Sequence, residues 1–435
     1  MKRKILAFAS AFVFTFSTNS QKVEFEKYEL DNGMQIILHQ DNSAPVVITS
    51  VMYNVGGKDG SRERTGMAHF FEHLLFEGTK NIKKGEWFKI VSSNGGRNNA
   101  NTSQDRTYYY EIFPSNKLEL GLWMESERLL HPIIKKEGVD TQNQVVKEEK
   151  RERTRPYSEI LNEISKNLFK THPYKDPNIG YMEHLDAATL DEFLAFNKKY
   201  YVPNNATLVV AGDINFATTK KMIEDYFGPI PRGADVVRFF PKEKPITKEF
   251  RAKAYDENIQ IPAVVAAYRT PSFTSRDSKI LDMISSYLSV GKSSVLYKKM
   301  VDIKKQALAV QAVNISQQDY GIYALFSLPL GEVTLDQLIT EIDEEILKIQ
   351  TDLISEKAYQ KLQNQFENEY VNSNATVVGI AESLATYSSM YGDVNLINNE
   401  IDIYRSITRE EIREVAKKYL NKNQRLLLEY LPKKK

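Results

Sequence analysis

Cysteine is absent from this 435-residue chain. That excludes disulfides and a lipid-modified cysteine at a cleavage site, so stability has to come from a buried core alone. An excess of charge of one sign is also missing: 58 Lys and Arg stand against 57 Asp and Glu, leaving no overall field to gather nucleic acid. The lysine run at 433–435 is short enough to be a solvated tail. Long apolar runs are lacking too. The stretch at 5–16 offers only about twelve residues, too few to cross a bilayer. It follows Lys2, Arg3 and Lys4 and precedes small and polar residues at 17–20, which is the layout of a secretory signal peptide. We expect a signal over 1–20, cleavage near Ser20 and a mature chain starting at or near Gln21; an uncleaved anchor is the alternative. With no stable membrane span, the expected location is a bacterial periplasm or the exterior. Histidine is scarce, with six in the whole chain.

Two of those six lie in the run His69-Phe70-Phe71-Glu72-His73. Met67, Phe70, Phe71, Leu74 and Leu75 recur at three- and four-residue spacing, which predicts a helix within 65–78, with Thr65 as N-cap and Gly78 as stop. On a helix, positions i and i+4 share a face, so His69 and His73 present two imidazoles to one point, with Glu72 beside them. A lone histidine on an apolar face is usually a core residue. Two at ligand spacing with an acid between them form the inverted zinc-protease pattern, and converging neutral imidazoles favour zinc.

A catalytic zinc usually has three protein ligands, so one more is needed. Downstream carboxylates cluster at Glu148, Glu149 and Glu152, in a helix expected around 143–153 with Val145 and Val146 as apolar anchors. Glu149 lies four residues from Val145 and three from Val146 and should share their inward face, with Glu148 and Glu152 leaning outward. Spacing alone leaves Glu148 open beside Glu149, and all three as solvated surface acids remain the plainer reading.

The length exceeds what one core usually serves, and 42% hydrophobic with 26% charged residues is ordinary for a globular chain. Strands are expected at 23–30 and 34–39 around Asn32-Gly33, a strong hairpin signal, and at 46–53, 107–113 and 206–211. Helices are expected at 118–130 and 160–169 and from the Thr189–Glu192 capping box through Tyr200. The second half repeats this ending. Thr408 and Glu411 form another capping box 219 residues after the first, and Lys417-Lys418-Tyr419 and Asn423 copy Lys198-Lys199-Tyr200 and Asn204. Upstream, Tyr268 and Ser275-Arg276-Asp277 echo Tyr53 and Ser61-Arg62-Glu63. The chain therefore reads as a duplicated unit: 21–228, a Pro-containing charged linker at 229–249, and 250–435. Where the first copy has His69, Glu72 and His73, the second has Met283, Ser286 and Tyr287, none a good zinc ligand.

Together these residues resemble the pitrilysin or insulinase (M16) family of zinc peptidases, and within it the two-domain chains related to mitochondrial processing peptidase. The resemblance extends through Gly56-Gly57, Gly95-Gly96, Asn101-Thr102, Tyr108 to Tyr110, His172-Pro173-Tyr174, Tyr201-Val202-Pro203-Asn204-Asn205 and Gly212-Asp213. It implies an α/β (α+β) fold of two pseudo-symmetric homologous domains, each a mainly antiparallel sheet covered by helices. It implies one Zn2+ per chain on His69, His73 and Glu149, with Glu72 as general base. Extended peptide substrates would add to a sheet edge formed by Asn99, Ala100, Asn101 and Thr102; the alternative there is a plain turn, with the neighbouring tyrosines as sheet packing. The implied partner is a second copy, or a metal-less chain of similar fold, closing around a chamber. The family often carries another glutamate seven residues before the ligand, where this chain has Gln142. A non-catalytic scaffold subunit and a zinc hydrolase of non-peptide substrates are the competing readings.

Overall fold

The computed structural model describes residues 22–152 and 155–433, so the expected signal peptide lies outside the described residues. The first half builds six strands: β1 (Glu26–Glu29), β2 (Gln35–Gln40), β3 (Val46–Tyr53), β4 (Arg97–Thr102), β5 (Thr107–Pro114) and β6 (Ala206–Gly212). Their order is β1-β2-β6-β3-β5-β4. The second half builds β7 (Phe250–Asp256), β8 (Ala263–Thr270), β9 (Ala307–Ser316), β10 (Gly321–Pro329) and β11 (Arg425–Pro432), in the order β7-β11-β8-β10-β9. Only the β2·β6 and β7·β11 pairs are parallel; the remaining neighbours are antiparallel.

Apart from β1, the two orders are the same once β2 is matched to β7 and β6 to β11. The register repeats as well. Tyr53 pairs with Ala206 and Thr107, and Tyr268 with Arg425 and Tyr323. The internal repeat therefore extends from sequence to hydrogen-bond ladder.

Alternation along each strand gives both faces of each sheet an apolar layer. On one face of the first sheet, Ile36, Leu38, Val51, Tyr109, Leu208 and Val210 pack with Phe70 and Phe71. On its other face, Ile37, Ile48, Met52, Tyr108 and Val209 pack with Ile380, Ala381, Leu384 and Ala385, all from the helix Val377–Thr386 of the second half. The exchange is reciprocal. Helix Ile160–Leu168 of the first half sets Ile164 and Leu168 against Val265, Ala267, Leu426 and Leu428 of the second sheet. Each such Ile, Leu or Val side chain stabilises by about 1.5–3 kcal/mol on burial, so each half carries part of the other's core.

Several expected boundaries shift. The Thr65 side chain is turned away from the helix: its hydroxyl accepts from the Tyr181 amide at 3.1 Å and meets His184 Nδ1 at 2.8 Å. The histidine helix instead runs Met67–Leu74 behind Gly66, whose φ is +87°. A Cβ there would come within 2.6 Å of the Ile179 carbonyl, so both the backbone angle and the space require glycine. The first strand contracts to β1 on the far side of the Asn32-Gly33 turn. The glutamate helix starts earlier than expected, at Lys136, and runs to Glu152. The helices Leu118–Leu130 and Leu190–Tyr200 lie as expected, the second opened by the Thr189–Glu192 box. Among the described residues no helix is long and apolar enough to cross a membrane.

Candidate metal centre

The histidine helix lays Phe70, Phe71 and Leu74 into the core and leaves His69 and His73 together on another face, ring centroids 4.8 Å apart. The glutamate helix crosses that face. Val145, expected as one of its anchors, is 44% exposed, whereas Val146 is fully buried and Val139 nearly so. The inward face is therefore set by 139, 142, 146 and 149, at spacings of three and four. Glu148 and Glu152 point to solvent.

Glu149 Oε2 lies 3.5 Å from His69 Nε2 and 3.4 Å from His73 Nε2. One donor atom from each of the three residues falls within 4.8 Å of the others. Ligand atoms about 2 Å from a tetrahedral centre are roughly 3.3 Å apart. The two carboxylate-to-imidazole separations and the donor set, two imidazoles and one carboxylate, fit a zinc ion.

The register between the two helices is locked one turn beyond the site. Glu77, four residues after His73, accepts from Gln142 Nε2 at 2.6 Å and pairs with Lys84 at 2.8 Å. Lys84 also reaches Thr141 Oγ1 at 3.1 Å. Gln142, in place of the glutamate implied by resemblance, thus serves as an amide donor to a carboxylate in the turn that follows the histidine helix.

Glu72 takes no part in the triangle. Its Oε2 accepts a 2.6 Å hydrogen bond from the Thr102 hydroxyl at the end of β4. Burial pushes its carboxyl above the usual range and Glu149 adds to this, while the Thr102 hydrogen bond, His73 and Arg106 oppose it.

Strand β4 pairs with β5 on one side only, so it is a sheet edge rather than a turn. The Thr102 carbonyl accepts from Asn178 Nδ2 at 2.7 Å, while the Ser103 amide bonds back to the Arg106 carbonyl. Because main-chain groups alternate in direction along a strand, Ala100 and Asn98 face the open edge, whereas Asn99 and Asn101 face β5. Tyr108 and Tyr109 are buried in the sheet.

Behind the site lies a buried ionic cluster. Arg128 Nη2 is 2.9 Å from Glu111 and 3.1 Å from Glu125, with all three side chains fully buried. The guanidinium lies 4.0–4.5 Å from the ring centroids of Phe76, Trp87 and Tyr109 and donates to the Leu75 carbonyl at the end of the histidine helix. Burial, reinforced by the neighbouring Glu125, pushes the Glu111 carboxyl well up.

Comparison with family models matches residues 35–180 to "Insulinase (Peptidase family M16)" and residues 187–366 to "Peptidase M16 inactive domain". The chain belongs to peptidase family M16. Among M16 relatives, the zinc protease PqqE of Helicobacter pylori is 27% identical over 408 residues, covering 92% of this chain and 90% of the relative. The mitochondrial-processing peptidase beta subunit of Blastocladiella emersonii is 22% identical over 400 residues, covering 90% and 85%. The crystal structure of a protease from Helicobacter pylori superposes with a TM-score of 0.89 at 25% identity, covering 94% of this chain and 99% of that one. As an M16 chain, the protein has His69 and His73 in the first matched region and Met283, Ser286 and Tyr287 in the second.

Sequence spacing brought His69, Glu72, His73 and Glu149 into view but not the Thr102 hydroxyl on Glu72, the Glu77–Gln142 clamp or the Arg128 cluster. The first two join residues thirty or more positions apart, and Arg128 meets both Glu111 and Glu125 only once strand and helix have packed together.

Proposed function

We propose that this chain is a zinc-dependent endopeptidase acting on peptides or unfolded segments, with zinc held by His69, His73 and Glu149 and with Glu72 as general base. The reading is carried by one observation: three donor atoms converge within 4.8 Å beside a separate carboxylate that is held in place by a hydroxyl. Zinc bound there supplies Lewis-acid polarisation of the peptide carbonyl and a water of lowered pKa. Glu72 takes the proton from the attacking water and delivers it to the leaving amine. The outward main chain of Asn98 and Ala100 hydrogen-bonds an extended substrate as an added strand, which is tolerant of sequence because side chains are not read by it.

In this reading residues 21–228 form the catalytic domain, 229–249 the linker and 250–435 a domain that carries no metal ligands. The basic, apolar and small-polar succession of residues 2–20 directs export to the periplasm or beyond. A second copy, or a metal-less chain of similar fold, closes the chamber; light scattering on active material tests this, and an active monomer would remove it.

The deciding experiment is metal content together with cleavage of a quenched fluorescent peptide, with and without chelator. We expect one zinc per chain, chelator-sensitive cleavage, and a Glu72→Gln variant that keeps zinc but not activity. Zinc-free protein after reconstitution, or a fully active Glu72→Gln, overturns the reading.

A further inference from the structure

Lys58 is 2% exposed, and a buried ammonium is tolerated only where its donors are matched. All three are matched here, by partners drawn from both halves. Nζ lies 2.9 Å from Asp105 in the β4–β5 turn, and 2.8 Å from both Gln318 Oε1 and Asp319 Oδ2 in the turn between β9 and β10. The main chain repeats the grip. The Lys58 amide donates to the Gln104 carbonyl at 3.1 Å and the Gly57 amide to the Ser103 carbonyl at 3.0 Å. Asp105 in turn accepts from the Gln318 amide at 3.0 Å through its other oxygen, and Tyr174 joins the two turns by donating to Asp105 at 2.5 Å while accepting from the Asp319 amide at 3.1 Å. His172 Nε2 reaches Asp319 at 3.4 Å, and the Phe240 ring lies against the Lys58 ammonium. A second tie runs from Arg106 to Glu382 at 3.7 Å, on the helix Val377–Thr386.

The turn held in this way begins one residue after Thr102, whose hydroxyl fixes Glu72 and whose carbonyl ends the open edge. We propose that Lys58 is a positioning residue: by clamping the β4–β5 turn to the Gln318–Asp319 turn it lets the metal-less half set the Thr102 hydroxyl, the edge strand and, through them, the Glu72 carboxylate. The second half is then a working part of the active centre although it supplies no group to the metal. The effect on turnover rests on the peptidase reading; the effect on the edge strand does not.

Asp319 is the place to test this, because its side chain is 32% exposed and its loss leaves Lys58 with two acceptors. The full-length Asp319→Ala, Asp319→Asn and wild-type chains are compared by hydrogen exchange, zinc content and peptide turnover. We expect Asp319→Ala to keep its zinc, to exchange faster within 97–106 and 317–320 but not elsewhere, and to lose kcat by about ten- to a hundredfold at similar KM. Asp319→Asn, which keeps an acceptor for Lys58, should recover most of the protection. Unchanged exchange at 97–106, or faster exchange spread over the whole chain, overturns the proposal. Local exchange as expected in a wild-type background that cleaves no peptide upholds the coupling and removes the peptidase reading instead.

Discussion

The Thr102 hydroxyl donates to the Glu72 carboxylate across 2.6 Å, joining the end of an edge strand to the helix that carries both histidines. A hydrogen bond to a charged group contributes about 1.5–3 kcal/mol, enough to decide the rotamer of a half-buried carboxylate. Thr102→Val keeps the shape and removes the donor. Turnover should fall by about tenfold or more with zinc content unchanged, and Thr102→Ser should restore it. Steady-state kinetics with metal analysis checks this; undiminished kcat in Thr102→Val would show that Glu72 is oriented by something else.

Glu149 and Glu148 are neighbours with opposite surroundings, one facing two imidazoles and the other solvent. Glu149→Ala should weaken zinc binding by more than the roughly ten- to a hundredfold typical of losing a residue that only supports a ligand. Glu148→Ala should leave it unchanged. Competition with a chromogenic chelator distinguishes them, and equal affinities in the two variants would dismiss Glu149 as a ligand.

Arg128 neutralises a site from which water is excluded. Arg128→Met should destabilise the chain by about 3–5 kcal/mol, the usual result of stranding buried partner charges, and combining it with Glu111→Gln and Glu125→Gln should recover part of that loss. Denaturant unfolding followed by fluorescence measures both. A single variant within 1 kcal/mol of wild type, as an order of magnitude, would mean that the two acids are accommodated without the cation.

The second half contains its own pH-sensitive acid. Burial pushes the Asp282 carboxyl up to about 6, against the hydrogen bonds from Asn314 and Tyr404 and the charge of Lys279; Glu400 adds to the rise. The folded value lies above the unfolded value of about 3.9, so the native state holds the proton more tightly. Stability from this group is therefore present at acid pH and lost as pH rises through about 6. Asp282→Asn should have a higher Tm than wild type at about pH 8, and the advantage should vanish by about pH 4. A difference in Tm independent of pH would refute the assignment.

What the sequence reveals is what neighbouring residues decide together. The helix Leu190–Tyr200 begins and ends as expected because Thr189 and Glu192 fix its first turn between themselves. Its repeat after Thr408 is equally legible. The histidine helix is shorter than its apolar spacing suggests because Gly66 packs against Ile179 and Gly180, more than a hundred residues away. Glu149 faces inward, but Val146 and Val139 set that face and Val145 does not. A two-residue apolar run cannot say which member is buried; the partner helix decides. The exchange of covering helices and the Lys58 clamp depend on contacts between the halves, which no spacing within either half encodes.

Strand β6 lies at the interior of its sheet, between β2 and β3, yet is the last of the six to appear in the chain. A nascent chain therefore assembles β1 with β2 in one place and β3, β5 and β4 in another, and cannot join them until residues 206–212 have emerged. Completing that seam closes a loop of high contact order, a slow step. The same delay recurs in the second half, where β11, also interior, is the last of its five strands to appear. The first sheet can therefore close once residues 206–212 have emerged, whereas the second stays open until residues 425–432 have followed, and until each seam is made the segments on its two sides remain unjoined.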